Sequence, residues 1–103
     1  MDPQRILTPA ETADALGGTA FAHVGERLEG AYVTADFASA VRLLDAVAVA
    51  ADELDHHPDV TVGWGAIAFD LSSHDAGGVT SRDLALVGLI QAIADAQGAR
   101  PRG

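Results

Sequence analysis

Apolar positions change period several times along this chain, and each change marks an element. Phe37, Val41, Leu44, Ala48, Ala51 and Leu54 recur three or four residues apart, which predicts a long helix with that row as its buried stripe. Thr34 or Asp36 caps its start. It ends near Asp55, because Pro58 cannot continue a helix and pushes His57 towards extended backbone. From Ala66 to Leu71 the period falls to two. Ile67, Phe69 and Leu71 share one face while Ala66, Ala68 and Asp70 share the other, the mark of a strand with one face on a core. Val60 to Trp64 reads as the preceding strand, turned near Gly63 or Gly65. Thr19 to Val24 and about Leu28 to Thr34 read as another strand pair around Gly25-Glu26, with Gly30 weakening the second. Thr8-Pro9-Ala10-Glu11 opens a short helix that stops at Gly17-Gly18. Thr80-Ser81-Arg82-Asp83 opens the last helix as a capping box, with Leu84, Val87, Ile90 and Ile93 or Ala94 inward.

This mixture predicts one α+β domain over residues 1–103, with tails fraying over about 1–6 and 98–103. The hydrophobic share is 49%, but it is mostly Ala, with three Phe, one Tyr and one Trp. A chain of this size buries about two-thirds of its unfolded surface, so the core is thin and oligomerisation is a natural way to add buried area.

Charge narrows the function classes. Six Arg and no Lys stand against fifteen acidic residues, a net charge of −9. No basic patch is available to neutralise several phosphates, so direct nucleic-acid binding is not expected, nor is binding to anionic membranes. The absence of Cys removes disulfides, thiolate metal sites and thiol catalysis. No basic run leads into an apolar stretch, and none reaches membrane-spanning length, so the cytoplasm is the expected location.

The candidate chemistry lies in histidine. His56-His57-Pro58 sits at a helix exit, and His74 lies eighteen residues beyond His56 in the loop after the last predicted strand. Histidine gives and takes protons near neutrality, its unperturbed pKa being about 6.5. The regular helix has stopped, so adjacent imidazoles can serve one pocket. Asp52 lies four residues before His56 and is placed to orient an imidazole across one turn. The plainer alternatives are a histidine pair against helix carbonyls and a solvated Asp52. Trp64 either walls the pocket or fills the core, Asp83 serves at least its capping box, and His23 is a strand residue without a catalytic role. No metal site is expected, because adjacent ligands rarely converge on one ion and no His-x-x-x-His row is present.

The spacing of these residues resembles that of the pterin-4a-carbinolamine dehydratases. An acidic residue, three positions, His-His-Pro, five positions, an aromatic, nine positions, His and a later Asp appear here as Asp52, His56-His57-Pro58, Trp64, His74 and Asp83. Ser73-His74-Asp75-Ala76-Gly77-Gly78 and Tyr32 to Ala40 are similar as well. The resemblance covers about residues 28–94. It implies a two-layer α+β sandwich, a four-stranded antiparallel sheet with helices on one face, and homodimers or homotetramers. It implies dehydration of 4a-hydroxytetrahydropterin to quinonoid dihydropterin, with His56, His57 and His74 sharing the acid-base work. Pro58, Ser73, Asp75 and Ala76 would hold the pterin, Asp52, Trp64 and Asp83 would support the site, and no cofactor is required. The chain departs from the family pattern in lacking a tryptophan after the first helix, in carrying Asp52 where glutamate is common, and in flanking Trp64 with Gly63 and Gly65. The other class left open is a non-catalytic interaction or assembly module on the same fold.

Overall fold

Phe21 and Gly30 face each other across two antiparallel strands, and that pairing sets one edge of the sheet. The structure, a computed structural model, describes residue 2 and residues 4–102. Its elements in chain order are α1 (Pro9–Leu16), β1 (Phe21–Val24), β2 (Arg27–Val33), α2 (Phe37–Leu54), β3 (Asp59–Gly63), β4 (Ala66–Leu71), α3 (Ser81–Gln97) and β5 (Arg100–Pro101). The four longer strands pair antiparallel in the order β1-β2-β4-β3. Leu28, Tyr32, Ile67, Phe69 and Leu71 point from the sheet into one cluster with helix residues such as Leu43, Val47, Leu86 and Ile90. The alternate residues Asp70, Asp59 and Thr61 are exposed on the other face, and Glu29 there is half-buried. This is the expected α+β sandwich, with helices on one side only.

Capping follows the sequence signals. Thr8 and Thr80 each form a capping box, with Glu11 and Asp83, and Asp36 caps α2 by accepting from the Ser39 N–H. His23 meets Thr12 at 2.8 Å between β1 and α1.

Two expectations need correction. The buried stripe of α2 is Ala40, Leu43, Val47 and Ala51, whereas Phe37 and Val41 are 51% and 42% exposed and Ala48 and Leu54 also face outward. The helix is apolar around about half its circumference, so two stripes of helical period fit its sequence. Only the sheet and α3 select which one is covered. The C-terminal segment is also more ordered than expected. Ala99 is buried, Arg100 and Pro101 pair with Val33 and Tyr32, and the Arg102 N–H bonds the Ala31 carbonyl at 2.9 Å. These bonds extend the β1 edge with a fifth short strand. Near the other terminus Leu7 is buried, its N–H donates to the Val79 carbonyl, and Gln4 bonds Asp75. Met1, Pro3 and Gly103 lie outside the described residues.

Gly30 explains itself in three dimensions. A Cβ there would lie 2.7 Å from the Phe21 ring, so the aromatic covers the glycine and continues edge-on to Tyr32 at a ring separation of 6.3 Å. Gly30→Ala is expected to cost about 1–3 kcal/mol by overpacking, read as a lower urea midpoint at unchanged slope.

Candidate functional site: a histidine cleft on a buried carboxylate

The site begins with the way α2 stops. Asp55 takes left-handed backbone, φ 53°, which Asp tolerates better than most residues. Its N–H bonds the Asp52 carbonyl at 3.2 Å while the His56 N–H bonds the Ala51 carbonyl at 3.1 Å, the double closure of a Schellman motif. The reversal turns His56 inward and leaves His57 exposed. From the other side, β4 ends in a tight loop. Ser73 and Gly78 bridge each other, the Gly77 N–H bonds the Ser73 carbonyl at 2.9 Å, and Gly77 takes φ 83°. This loop presents His74 and Asp75. Between the two segments lies an open cleft of about 270 Å³ lined by Asp55, His56, His57, Ser72, His74 and Asp75.

Beneath it sits a carboxylate. Asp83 is fully buried. Its Oδ1 accepts from His56 Nε2–H at 2.6 Å, and its Oδ2 accepts from the Thr80 N–H at 2.9 Å and from Ser73 Oγ–H at 2.8 Å. Ser73 has one proton and gives it to Asp83, so Thr80 Oγ1–H donates to Ser73 Oγ across their 2.8 Å contact. The chain runs from Thr80 through Ser73 and Asp83 to His56. It leaves no buried side-chain polar atom unpartnered among the described residues. Among the described residues the other imidazole nitrogen, Nδ1, has no hydrogen-bond partner, and it is not sealed in. It is the nitrogen His56 presents to the cleft.

The remaining candidates fall into place around this arrangement. Asp52 Oδ1 accepts from His57 Nε2–H at 2.9 Å, not from His56, because the left-handed residue carries His56 off the helical register. Both partners are exposed. Ser73 holds the network with its buried hydroxyl, and the Ala76 N–H bonds the Ser73 carbonyl at 3.0 Å. Pro58 is half-buried and starts the path to β3. Trp64 is absent from the cleft. It stands at the tip of the β3–β4 hairpin, roughly 16 Å of strand away, so the expected supporting role in the pocket is not met. Asp55 and Ser72 line the cleft without having been singled out. Asp55 was readable as a left-handed cap only once the helix end was known, and Ser72 carried no signal.

Arg82 controls the charge at the mouth. Its Nη2–H donates to Asp75 at 2.8 Å, and this hydrogen bond holds the Asp75 carboxyl below the usual carboxylate range. No group of three or more His, Cys, Asp or Glu among the described residues is arranged to hold a metal ion.

Comparison with known proteins gives the arrangement its context. The family model for pterin 4 alpha carbinolamine dehydratase matches residues 5–93. The chain belongs to that family. A Koribacter versatilis protein bearing a provisional dehydratase name is 37% identical over 90 residues, spanning 86% of this chain and 96% of its own. A Metallosphaera sedula protein of the same provisional name is 50% identical over 52 residues, covering 50% of this chain and 54% of its own. Among solved structures, a Brucella melitensis protein described as a transcriptional coactivator/pterin dehydratase superposes with a TM-score of 0.80 at 28% identity, covering 87% of this chain and 99% of its own. A pterin dehydratase-like RuBisCO assembly factor of the alpha-carboxysome shares the fold at a TM-score of 0.63 and 20% identity, covering 75% of this chain and 92% of its own. The dehydratase fold is thus found under more than one kind of role, and the cleft chemistry has to be argued from its own residues.

Two outcomes follow from the network. Asp83→Ala strands the His56, Ser73 and Thr80 donors, each worth about 1–3 kcal/mol when buried without an acceptor. Urea unfolding is expected to show a loss of at least about 2 kcal/mol. The Asp75–Arg82 pair has a sign as well. A carboxyl lowered in the folded state adds stability above its unfolded pKa and loses it as pH falls through the folded one. Wild type is therefore expected to lose more stability than Asp75→Asn as pH drops below the ordinary Asp value of about 3.9, read by urea midpoints at stepped pH.

Proposed function

We propose that this protein dehydrates 4a-hydroxytetrahydropterin to quinonoid dihydropterin and water, by histidine acid-base catalysis in the cytoplasm. The observation that supports the reading most directly is His56. It is fixed through Nε2–H by a buried carboxylate and offers Nδ1 to a cleft shared with His57 and His74. The reaction breaks the C4a–O bond, forms the C4a=N5 double bond and removes the N5 proton. The hydroxyl needs a proton to leave as water, and a base must take the proton from N5. Three imidazoles in one cleft can divide these tasks, each such transfer contributing about 100- to 10,000-fold. His57, exposed and steadied by Asp52, is the main pterin contact and proton-transfer group. His56 and His74 are its complements. Asp75, Pro58 and the backbone of Ser73 and Ala76 hold the flat ring, while the Ser73 hydroxyl serves Asp83. No metal or tightly held cofactor takes part.

The working form is a homodimer or homotetramer. The exposed row Phe37, Val41 and Ala48 on α2 supports this, since a thin core leaves apolar helix surface for a partner copy to cover. A non-catalytic assembly or regulatory module is the second reading. The solved neighbours described as a coactivator and as an assembly factor favour it by analogy of fold alone.

Stopped-flow ultraviolet absorbance of freshly generated 4a-hydroxytetrahydropterin separates the two. Wild type is expected to accelerate dehydration over the uncatalysed reaction, and His57→Ala to lose at least about tenfold of that rate. Folded wild type without any acceleration would overturn the dehydratase reading and leave the interaction module.

A further inference from the structure

The segment that leads into α1 lies across the loop presenting His74 and Asp75. Gln4 Nε2–H donates to Asp75 Oδ2 at 3.4 Å, while Arg82 holds the other oxygen, Oδ1, at 2.8 Å. Two residues on, Ile6 covers Gly78. A Cβ at Gly78 would lie 3.1 Å from Ile6 Cγ2 and 3.7 Å from its Cγ1, the first too close for ordinary contact. Gly78 does not take left-handed backbone, so a side chain there would disturb Ile6 and not the turn. Leu7 follows, buried, and its N–H donates to the Val79 carbonyl at 2.7 Å. Gln4, Ile6 and Leu7 thus meet the loop at its tip, its return and its exit.

The segment is itself anchored. The Gln4 N–H donates to Asp2 Oδ1 at 2.9 Å and the Arg5 N–H to the Asp2 carbonyl at 3.2 Å. Arg5 also pairs with Glu11 at 2.8 Å, and Glu11 closes the capping box of α1. The loop, by contrast, is tied mainly at its base. There the Ala76 and Gly77 N–H groups reach the Ser73 carbonyl, and Ser73 bridges Gly78. His74 and Asp75 are exposed at its tip. His74 has no side-chain hydrogen bond among the described residues, so the loop backbone alone aims its imidazole. Ile6 is 51% exposed and has little to add to the core; its contact with Gly78 is what its bulk supplies.

We propose that Ile6 and Gln4 are positioning residues for the dehydration proposed above: Ile6, seated on Gly78, sets the approach of His74, and Gln4 fixes the Asp75 carboxylate. The inference rests on that reading of the cleft. Neither residue lines the cleft, so each acts through the loop. The leverage is large, because a displacement of about 1 Å at a reacting group can cost about 100-fold in rate. The two contacts differ in what they control. Ile6 bears on an acid-base group and therefore on the chemical step, whereas Gln4 bears on a group that holds the ring and therefore on binding.

Stopped-flow dehydration over a range of substrate concentrations is compared for wild type, Gln4→Ala, Ile6→Ala, Ile6→Val and Gly78→Ala. Urea midpoints and amide hydrogen exchange over residues 74–79 are measured on the same proteins. Ile6→Ala and Gly78→Ala are each expected to lose about tenfold in kcat. Ile6→Val keeps Cγ1 and Cγ2, the atoms nearest Gly78, and is expected to keep the wild-type rate. Gln4→Ala is expected to raise KM about threefold with kcat unchanged. The loop amides are expected to exchange faster in Ile6→Ala than in wild type or Ile6→Val. A lower urea midpoint in Ile6→Ala, with kcat and loop exchange unchanged, overturns the proposal and leaves a structural contact. Equal losses in Ile6→Val and Ile6→Ala overturn it as well, and an unchanged KM in Gln4→Ala overturns the part given to Gln4. Wild type that accelerates nothing sinks the dehydratase reading and not the clamp. Loop exchange then decides the clamp alone: faster in Ile6→Ala supports it, and unchanged overturns it.

Discussion

Asp83 carries a carboxylate with no exposed surface, and what it accepts decides how the cleft is built. A buried polar group without partners costs several kcal/mol, so the fold has to bring donors to it. It does so from three places. Thr80 opens α3, Ser73 follows β4, and His56 follows α2. Thr80 and Ser73 are near Asp83 in the chain, whereas His56 lies 27 residues away and arrives because the sheet and helices converge on this carboxylate. One side chain therefore closes a capping box, locks a loop and orients an imidazole.

That constraint links structure to chemistry. An imidazole free to rotate and change tautomer is a poor proton relay, whereas one held at Nε2 offers a defined Nδ1. His57 and His74 are exposed and adaptable, as groups that meet a mobile substrate need to be. The cleft thus combines one fixed histidine with two accessible ones. Its acidic surroundings include Asp52, Asp55 and Asp75.

Much of this was legible in the sequence. The strand at Ala66–Leu71 and the two capping boxes could be read from period and spacing, whereas the meeting of both histidine segments was implied by the family resemblance and not fixed by spacing. The α2 stripe could not, because Phe37, Val41 and Leu44 satisfy helical period as well as Ala40, Leu43 and Val47 do. Only tertiary contacts separate them. The Asp52–His57 pairing was hidden by the left-handed Asp55, whose effect is to shift His56 off the four-residue rule. Trp64 lies in the family's spacing yet points away from the cleft, since a strand carries it to the far end. The order at Ala99–Arg102 was missed because two residues of strand leave almost no periodic signal. Asp83 was readable as a cap, but its bond to His56 depends on the closure of the whole domain.

The most direct test is the tautomer of His56, read from two-bond proton–nitrogen correlations on labelled protein across neutral pH, with assignment by His56→Gln. The account requires the proton of neutral His56 to sit on Nε2, and loss of that fixed pattern in Asp83→Asn. A neutral His56 carrying its proton on Nδ1 would contradict it, because Nε2 could not then donate to the buried carboxylate.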